Sequence, residues 1–127
     1  MTTSHEVGRR GERAAVRWLR ERGYRILETN YRWRRAEIDV IARDGSQVVF
    51  VEVKTRKVTA FGSPEGAVDR RKQAQIAKVA AHYLQVRGME GVDCRFDVLS
   101  LREGSRPGQI SVEHFRNAFW IDRRFVV

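Results

Sequence analysis

The spacing of apolar residues near the N-terminus predicts an amphipathic helix. This helix spans residues 5–22, has Ser4 as its candidate cap and ends at Gly23. Its apolar positions are Ala14, Ala15, Trp18 and Leu19.

Three predicted strands follow the predicted helix, and the second and third are rich in β-branched residues. Residues 24–30 predict a strand, and the basic segment from Tyr31 to Arg35 predicts a loop. The runs 37–42 and 47–54 are joined around Asp44-Gly45, which is the strongest hairpin signal in the chain.

The second half of the chain predicts one more helix and two strands. Phe61 to Pro64 is irregular, with Ser63 placed to cap a short helical turn, whereas Asp69 is placed to cap a helix that ends at Arg87. The apolar stripe of that helix is Ile76, Val79, Ala80, Tyr83 and Leu84. Strands at 94–101 and 110–115 complete the order α-β-β-β-α-β-β, which indicates a single α/β domain over residues 1–127.

The hairpin predicts its own register. A two-residue turn centred on Asp44-Gly45 fixes every cross-strand pair, although a three-residue loop would shift the pairing by one. The predicted pairs include Arg43 with Ser46, Glu37 with Glu52 and Asp39 with Phe50.

Strand alternation then divides the hairpin into two faces. The apolar face is expected to be covered by a helix and carries Ile38, Val40, Val49, Val51 and Val53. The other face carries the acidic residues and consists of Glu37, Asp39, Ile41, Val48, Phe50, Glu52 and Lys54.

The acidic face requires a compensating cation, because like charges on neighbouring strands destabilise a sheet. Asp39 and Glu52 supply the carboxylate pair that Mg²⁺ prefers, and Lys54 points to the same side, where it would orient a water or neutralise developing charge. The alternative is a solvated acidic face on which Lys54 forms a weak surface ion pair with Glu37 or Glu52. These residues alone leave both interpretations open.

Charge narrows the class of partner. The 127 residues include 25 Lys+Arg against 16 Asp+Glu, which gives a net charge of +9 and a pI near 10.7. Residues 1–35 carry ten basic and four acidic residues, and residues 61–88 carry five and two, whereas the other two segments are neutral. Clustered positive charge favours a polyanionic partner such as nucleic acid, although a soluble basic surface remains the alternative.

Cysteine content and hydropathy exclude other classes. The single cysteine, Cys94, cannot form an internal disulfide, and no Cys/His spacing predicts zinc. The N-terminus lacks the apolar run of a secretion signal, and no stretch is long enough to span a membrane. We therefore expect a soluble, cytoplasmic protein with no membrane partner.

The order of the motifs resembles the PD-(D/E)XK nuclease superfamily, and more narrowly the bacterial YraN-like family of proposed endonucleases, which is related to archaeal Holliday-junction resolvases. The resemblance spans roughly Gly8 to Phe119. The residues that carry it are Gly8-Arg9-Arg10-Gly11-Glu12 with Ala15, Gly23-Tyr24, Asn30, Tyr31, the run from Glu37 to Ala42, the run from Phe50 to Arg56, Phe61-Gly62, Lys72 and the run from Arg95 to Val98.

This resemblance implies a restriction-endonuclease-like α-β-β-β-α-β core, with a mixed central sheet flanked by helices, and a Mg²⁺ or Mn²⁺ cofactor. The implied metal ligands are Asp39, Glu52 and the backbone carbonyl of Val53, and Lys54 matches the catalytic lysine. Glu12 matches a first-helix glutamate that points towards the metal. Glu37 is an accessory candidate, although Ala36 stands where the family commonly has glycine.

The resulting expectation is a Mg²⁺-dependent endonuclease that acts on DNA and recognises branched or flapped shapes rather than sequence. The alternatives are a non-catalytic nucleic-acid-binding adaptor and a structural domain that binds an acidic protein. A homodimer is left open. Trp33 is expected either to stack on a base or, slightly favoured, to pack against the domain. Asp97 is expected only to pair with Arg95, and no histidine is assigned a role. The arginines of the first helix, the segment from Tyr31 to Arg35 and the segment from Arg70 to Lys72 are expected to hold flanking phosphates. The individual candidates are Arg9, Arg10, Arg34, Arg35, Arg56, Arg70 and Lys72.

Overall fold

The structure is a computed structural model that describes residues 4–56 and 69–119. Its helices are α1 (Ser4–Glu21) and α2 (Arg70–Val86), and its strands are β1 (Arg25–Trp33), β2 (Ala36–Asp44), β3 (Gln47–Arg56), β4 (Cys94–Glu103) and β5 (Ile110–Phe119). The predicted order of elements is confirmed. The irregular segment from Phe61 to Pro64 and the C-terminal Trp120 lie outside the described residues.

The N-terminus and the buried face of α2 agree with the sequence analysis. The side chain of Asp69 accepts a hydrogen bond from the backbone N–H of Lys72, so Asp69 is the N-cap as predicted. The buried residues of α2 are Ile76, Ala77, Val79, Ala80 and Tyr83, which confirms the predicted apolar stripe.

The five strands form one mixed sheet in the order β1-β2-β3-β4-β5. Strands β1, β2 and β3 form an antiparallel meander, β4 runs parallel to β3, and β5 is antiparallel to β4. A parallel neighbour needs a crossover connection, and α2 lies within that connection.

A helix covers each face of the sheet. On one face, Ala15 and Leu19 of α1 pack with Val40, Val49 and Val51. On the other, the stripe of α2 packs with Ile41, Val48 and Phe50. The central strands β2 and β3 are therefore buried on both sides, which accounts for their nearly continuous apolar sequence.

The predicted hairpin register is wrong by two residues. Asp44 pairs with Gln47, so the turn is Gly45-Ser46, and Phe50 pairs with Ile41 rather than Asp39. Gly45 has a φ of +60° at the first central position, where a type II′ turn requires a positive φ. Continuing the observed register past its last pair, Val40 with Val51, brings Asp39 rather than Glu37 level with Glu52.

Strict alternation also fails along β2. Ile38 joins the cluster beneath α2 together with Ile41, whereas Val40 packs beneath α1. The predicted face that combined Ile38 with Val40 is therefore wrong, because the strand does not keep a period of two through Asp39. Its neighbour on β1, Asn30, has a φ of +52°, which marks the same irregular level of the sheet.

The predicted basic loop is shorter than expected. Strand β1 continues to Trp33, and only Arg34 and Arg35 form the turn to β2. Trp33 stacks on His82 with ring centroids 4.4 Å apart, and the Arg34 guanidinium lies over the indole at 4.5 Å. The expectation that Trp33 packs against the domain is confirmed, because its partly buried side chain packs against the core cluster beneath α2.

Candidate active site

Four elements bring charged side chains together where β2 and β3 pass each other. Asp39 comes from β2, Glu52 and Lys54 from β3, Glu12 from α1, and Lys72 from the first turn of α2. A close approach of α1 to β3 helps to set this arrangement, because a Cβ at Gly11 would overlap Thr55 Oγ1. A side chain at position 11 would therefore require Thr55 or the helix to shift.

Asp39 lies at the centre of a carboxylate cluster. One carboxylate oxygen each from Glu12, Glu37 and Asp39 lies within 4.8 Å of the other two. Asp39 Oδ2 also accepts a hydrogen bond of 2.8 Å from the backbone N–H of Val53, which fixes its orientation against β3. Burial and the charges of Glu52, Glu12 and Glu37 raise the pKa of Asp39 to about 7, although the Val53 hydrogen bond opposes them.

Glu52 is held by two lysines. Its side chain is buried, and Oε1 lies 2.6 Å from Lys72 Nζ and 3.4 Å from Lys54 Nζ. Burial lowers the pKa of Lys54, and the neighbouring Lys72 lowers it further. Burial works in the same direction on Lys72, but its hydrogen bonds with Glu52 and Lys54 outweigh burial and raise its pKa.

The cluster fits a divalent cation by the chemistry of its donors. Glu12, Glu37 and Asp39 offer convergent oxygens, the ligands that Mg²⁺ and Mn²⁺ prefer. Burial and the neighbouring carboxylates raise the pKa of Asp39 and so disfavour its ionised form, whereas Glu37 pairs with Arg32 at 2.9 Å. A cation bound there would favour the ionised form of Asp39.

The structure brings together the predicted catalytic residues Glu12, Asp39, Glu52 and Lys54, as well as the accessory Glu37. It groups them differently from the predicted ligand set of Asp39, Glu52 and Val53. The three mutually close carboxylates are those of Glu12, Glu37 and Asp39, whereas Glu52 is engaged by lysines. Val53 is placed at the site through its backbone N–H.

The expected phosphate contacts are dispersed. Arg9 and Arg10 are exposed on α1, Arg34 and Arg35 are exposed in the β1–β2 turn, and Arg70 is exposed at the start of α2. Lys72 instead reaches inwards to Glu52. Arg56 ends β3, and its side chain lies outside the described residues.

One contact of the site was missed by the sequence analysis. The ion pair between Lys72 and Glu52 has no local sequence signal, because it depends on how α2 crosses the sheet. The arginines of the first helix were expected as a group to contact phosphates. Three of them, Arg13, Arg17 and Arg20, line a groove that also contains Glu12.

Among the described residues, neither helix combines the length and the apolar character needed to cross a membrane.

Comparison with known proteins identifies close relatives. The family model described as "Uncharacterised protein family UPF0102" matches residues 11–101, which include Glu12 and all the candidate residues on β2 and β3. A UPF0102 protein of Prosthecochloris aestuarii is 45% identical over 93% of this chain and 96% of its own length. UPF0102 proteins of Syntrophus aciditrophicus (44% identical, 94% of this chain and 92% of the relative) and Moorella thermoacetica (43% identical, 92% and 98%) are similar over equally long spans.

Proposed function

The chain belongs to the uncharacterised protein family UPF0102, the YraN-like family, and we propose that it is a divalent-metal-dependent endonuclease that hydrolyses phosphodiester bonds in branched or flapped DNA. The observation that supports this most strongly is the convergence of Glu12, Glu37 and Asp39 next to Glu52, which Lys54 and Lys72 contact. The resemblance to PD-(D/E)XK nucleases supports the same assignment from the order of the motifs.

Each residue of the cluster has a distinct role in this proposal. Glu12, Glu37 and Asp39 would hold Mg²⁺ or Mn²⁺. Glu52 would add a ligand through Oε2, because both lysines contact Oε1. The bound cation would polarise the scissile phosphate and lower the pKa of a water. Lys54, whose pKa is lowered, orients the attacking water or stabilises the charge that develops on the phosphate. Lys72 holds the carboxylate of Glu52 in place.

Cleavage by the purified protein tests this function. With Mg²⁺ or Mn²⁺ the protein should nick a labelled branched DNA, and Asp39→Asn and Lys54→Ala should each lower the rate by at least about 100-fold. Glu90→Gln serves as the control, because Glu90 is an exposed carboxylate outside the cluster. If the two site variants cut as fast as the wild type, the activity belongs to a contaminant and the assignment is wrong.

One observation favours a second function, that of a non-catalytic nucleic-acid-binding adaptor. The 2.6 Å contact between Lys72 and Glu52 compensates one carboxylate without a metal ion. Calorimetric titration with Mn²⁺ distinguishes the two functions. An endonuclease should bind the ion in the wild type and lose binding in Asp39→Asn, whereas an adaptor should show no binding with or without DNA.

A further inference from the structure

A shallow groove of about 540 Å³ runs between α1 and the edge strand β1. One wall is the exposed flank of α1, and the other is formed by Thr29 and Asn30 of β1. Positive side chains dominate the lining, which consists of Arg9, Glu12, Arg13, Val16, Arg17, Arg20, Glu21, Thr29 and Asn30.

The four arginines of the groove form a single stripe. At 3.6 residues per turn, positions 9, 13, 17 and 20 fall within an arc of roughly 80°. This stripe lies on the side of α1 away from Ala15 and Leu19, which are fully buried. All four arginine side chains are exposed, so their guanidinium groups face solvent along the helix.

Within the described side chains, no ion pair neutralises the stripe. No carboxylate whose side chain is described lies within ion-pair distance of Arg9, Arg13, Arg17 or Arg20, whereas Arg10 next to them approaches Glu103 at 3.9 Å. Arginines one helical turn apart repel one another. A polyanion bound along the stripe would relieve this repulsion.

The groove leads to the carboxylate cluster. Glu12 lies in both, because it lines the groove and its carboxylate is within 4.8 Å of those of Glu37 and Asp39. On the other wall, Asn30 is level with Asp39, since the flanking pairs are Thr29 with Val40 and Tyr31 with Ile38. From Glu12 to Arg20 the helix rises about 12 Å, the axial length of three to four nucleotides of one DNA strand.

We propose that this groove holds the phosphate backbone of one nucleic-acid strand and leads that strand to the carboxylates around Asp39. The inference rests on the proposed function for the identity of the polyanion, and it adds the path that the strand takes. No aromatic side chain lines the groove among the described residues, so binding relies on phosphate contacts and is independent of sequence.

The test measures binding without cleavage. Fluorescence anisotropy of a labelled single-stranded oligonucleotide is recorded in EDTA over a series of salt concentrations. Arg13→Ala and Arg17→Ala should each weaken binding roughly five- to tenfold near 0.1 M salt and reduce the slope of log affinity against log salt by about one. Arg13→Lys should retain most of the slope, because it keeps the charge.

Lys78→Ala is the matched control, because it removes one exposed positive charge from a helix on the opposite face of the sheet. It should leave affinity and slope close to those of the wild type. If Lys78→Ala has the same effect as Arg13→Ala, or if the Arg13→Ala/Arg17→Ala double variant binds like the wild type, the groove is not the path of the strand.

The result is independent of the proposed catalytic activity. If substitution of Arg13 or Arg17 weakens DNA binding but the wild type never cuts DNA with Mg²⁺ or Mn²⁺, the proposed path of the strand is supported and the proposed endonuclease activity is wrong. If the wild type cuts DNA and binding is unchanged after both substitutions, the endonuclease activity is supported and the proposed path is wrong.

Discussion

At the scale of single residues, the raised pKa of Asp39 makes the stability of the folded protein depend on pH. Its pKa of about 7 in the folded protein compares with an ordinary value of 3.8. The folded state therefore binds this proton more tightly than the unfolded state does. The resulting stabilisation is fully present below about pH 4 and is lost as the pH rises through about 7.

This linkage predicts a difference between the wild type and Asp39→Asn, which retains an acceptor for the Val53 N–H. In EDTA, the free energy of unfolding of the wild type should fall between pH 5 and pH 8 by about 2–3 kcal/mol more than that of the variant. Urea denaturation at several pH values measures it, with Glu90→Gln as the control that should follow the wild type. Parallel pH profiles for wild type and Asp39→Asn would show that Asp39 titrates normally.

The identity of the site residues could be predicted from sequence better than their grouping. The alternation of acidic residues on β2 and β3, together with the motif resemblance, pointed to Asp39, Glu52 and Lys54. Of the two partners of Glu52, Lys54 was predicted as an alternative. Lys72 could not be predicted, because it is twenty residues away and reaches Glu52 only after α2 packs on the sheet. Side-chain pairs between distant elements have no periodic signal in the chain.

At the scale of elements, hydrophobic periodicity predicted the order and type of the helices and strands. It did not predict the register of β2 against β3. The turn residues Asp44-Gly45-Ser46 allow more than one two-residue turn, and each choice moves Asp39 relative to β3. Burial of both faces of β2 and β3 also removed the alternation that would have distinguished the registers. Ile38 and Ile41 lie on one face because the alternation of β2 is interrupted between them, and the pattern of apolar residues does not predict this interruption.

The contact between α1 and β3 predicts opposite effects at two glycines of one helix. Gly11→Ala should destabilise the protein by about 1–3 kcal/mol, because the new methyl group overlaps Thr55 Oγ1. Gly8→Ala should be neutral or stabilising by up to about 1 kcal/mol, since nothing lies within 4 Å of its Cβ position. Both are measured by urea denaturation.

Thr55→Ala supplies the second half of this experiment. It removes the overlapping Oγ1 and leaves the Thr55 Cβ position 3.5 Å from the new methyl group, an ordinary contact. The cost of Gly11→Ala should therefore fall in the Thr55→Ala background. An equal cost in both backgrounds would mean that the close approach to Thr55 does not set the position of α1.

A buried polar network joins the strands at the hairpin end of the sheet. Asp97, fully buried on β4, accepts hydrogen bonds from Arg95, His114 and the backbone N–H of Asn117. Arg95 also donates to Asp44 at the β2–β3 hairpin. The predicted pair of Arg95 and Asp97 is confirmed, and the part played by His114 was missed because β5 had no predicted partner.

The stability cost of removing a charge from this network should depend on how deeply that charge is buried. Asp97→Asn is expected to cost about 3 kcal/mol of stability, because it leaves the buried Arg95 guanidinium poorly compensated. Asp44→Asn alters the same arginine's partner at a half-exposed position and should cost about 1 kcal/mol or less. Urea denaturation of both variants distinguishes a buried network from surface pairing, since equal costs would contradict it.

At the scale of the whole molecule, the arginine stripe of α1 and the carboxylate cluster meet in one groove. The stripe contributes to the net charge of +9, and Glu12 belongs both to the lining of the groove and to the cluster with Glu37 and Asp39. A DNA phosphate drawn along the stripe would be repelled by these carboxylates unless a cation is bound. Metal and DNA should therefore each promote the binding of the other.

This coupling can be measured in Lys54→Ala, in which the proposed cleavage is suppressed. At constant ionic strength, Mn²⁺ should raise the DNA affinity of this variant about tenfold, and DNA should raise its Mn²⁺ affinity by the same factor, because linkage between two binding equilibria is reciprocal. Anisotropy measures the first quantity and calorimetry the second. In Lys54→Ala/Asp39→Asn both effects should disappear. If Mn²⁺ leaves the DNA affinity of Lys54→Ala unchanged, the carboxylate cluster and the groove do not act on the same strand.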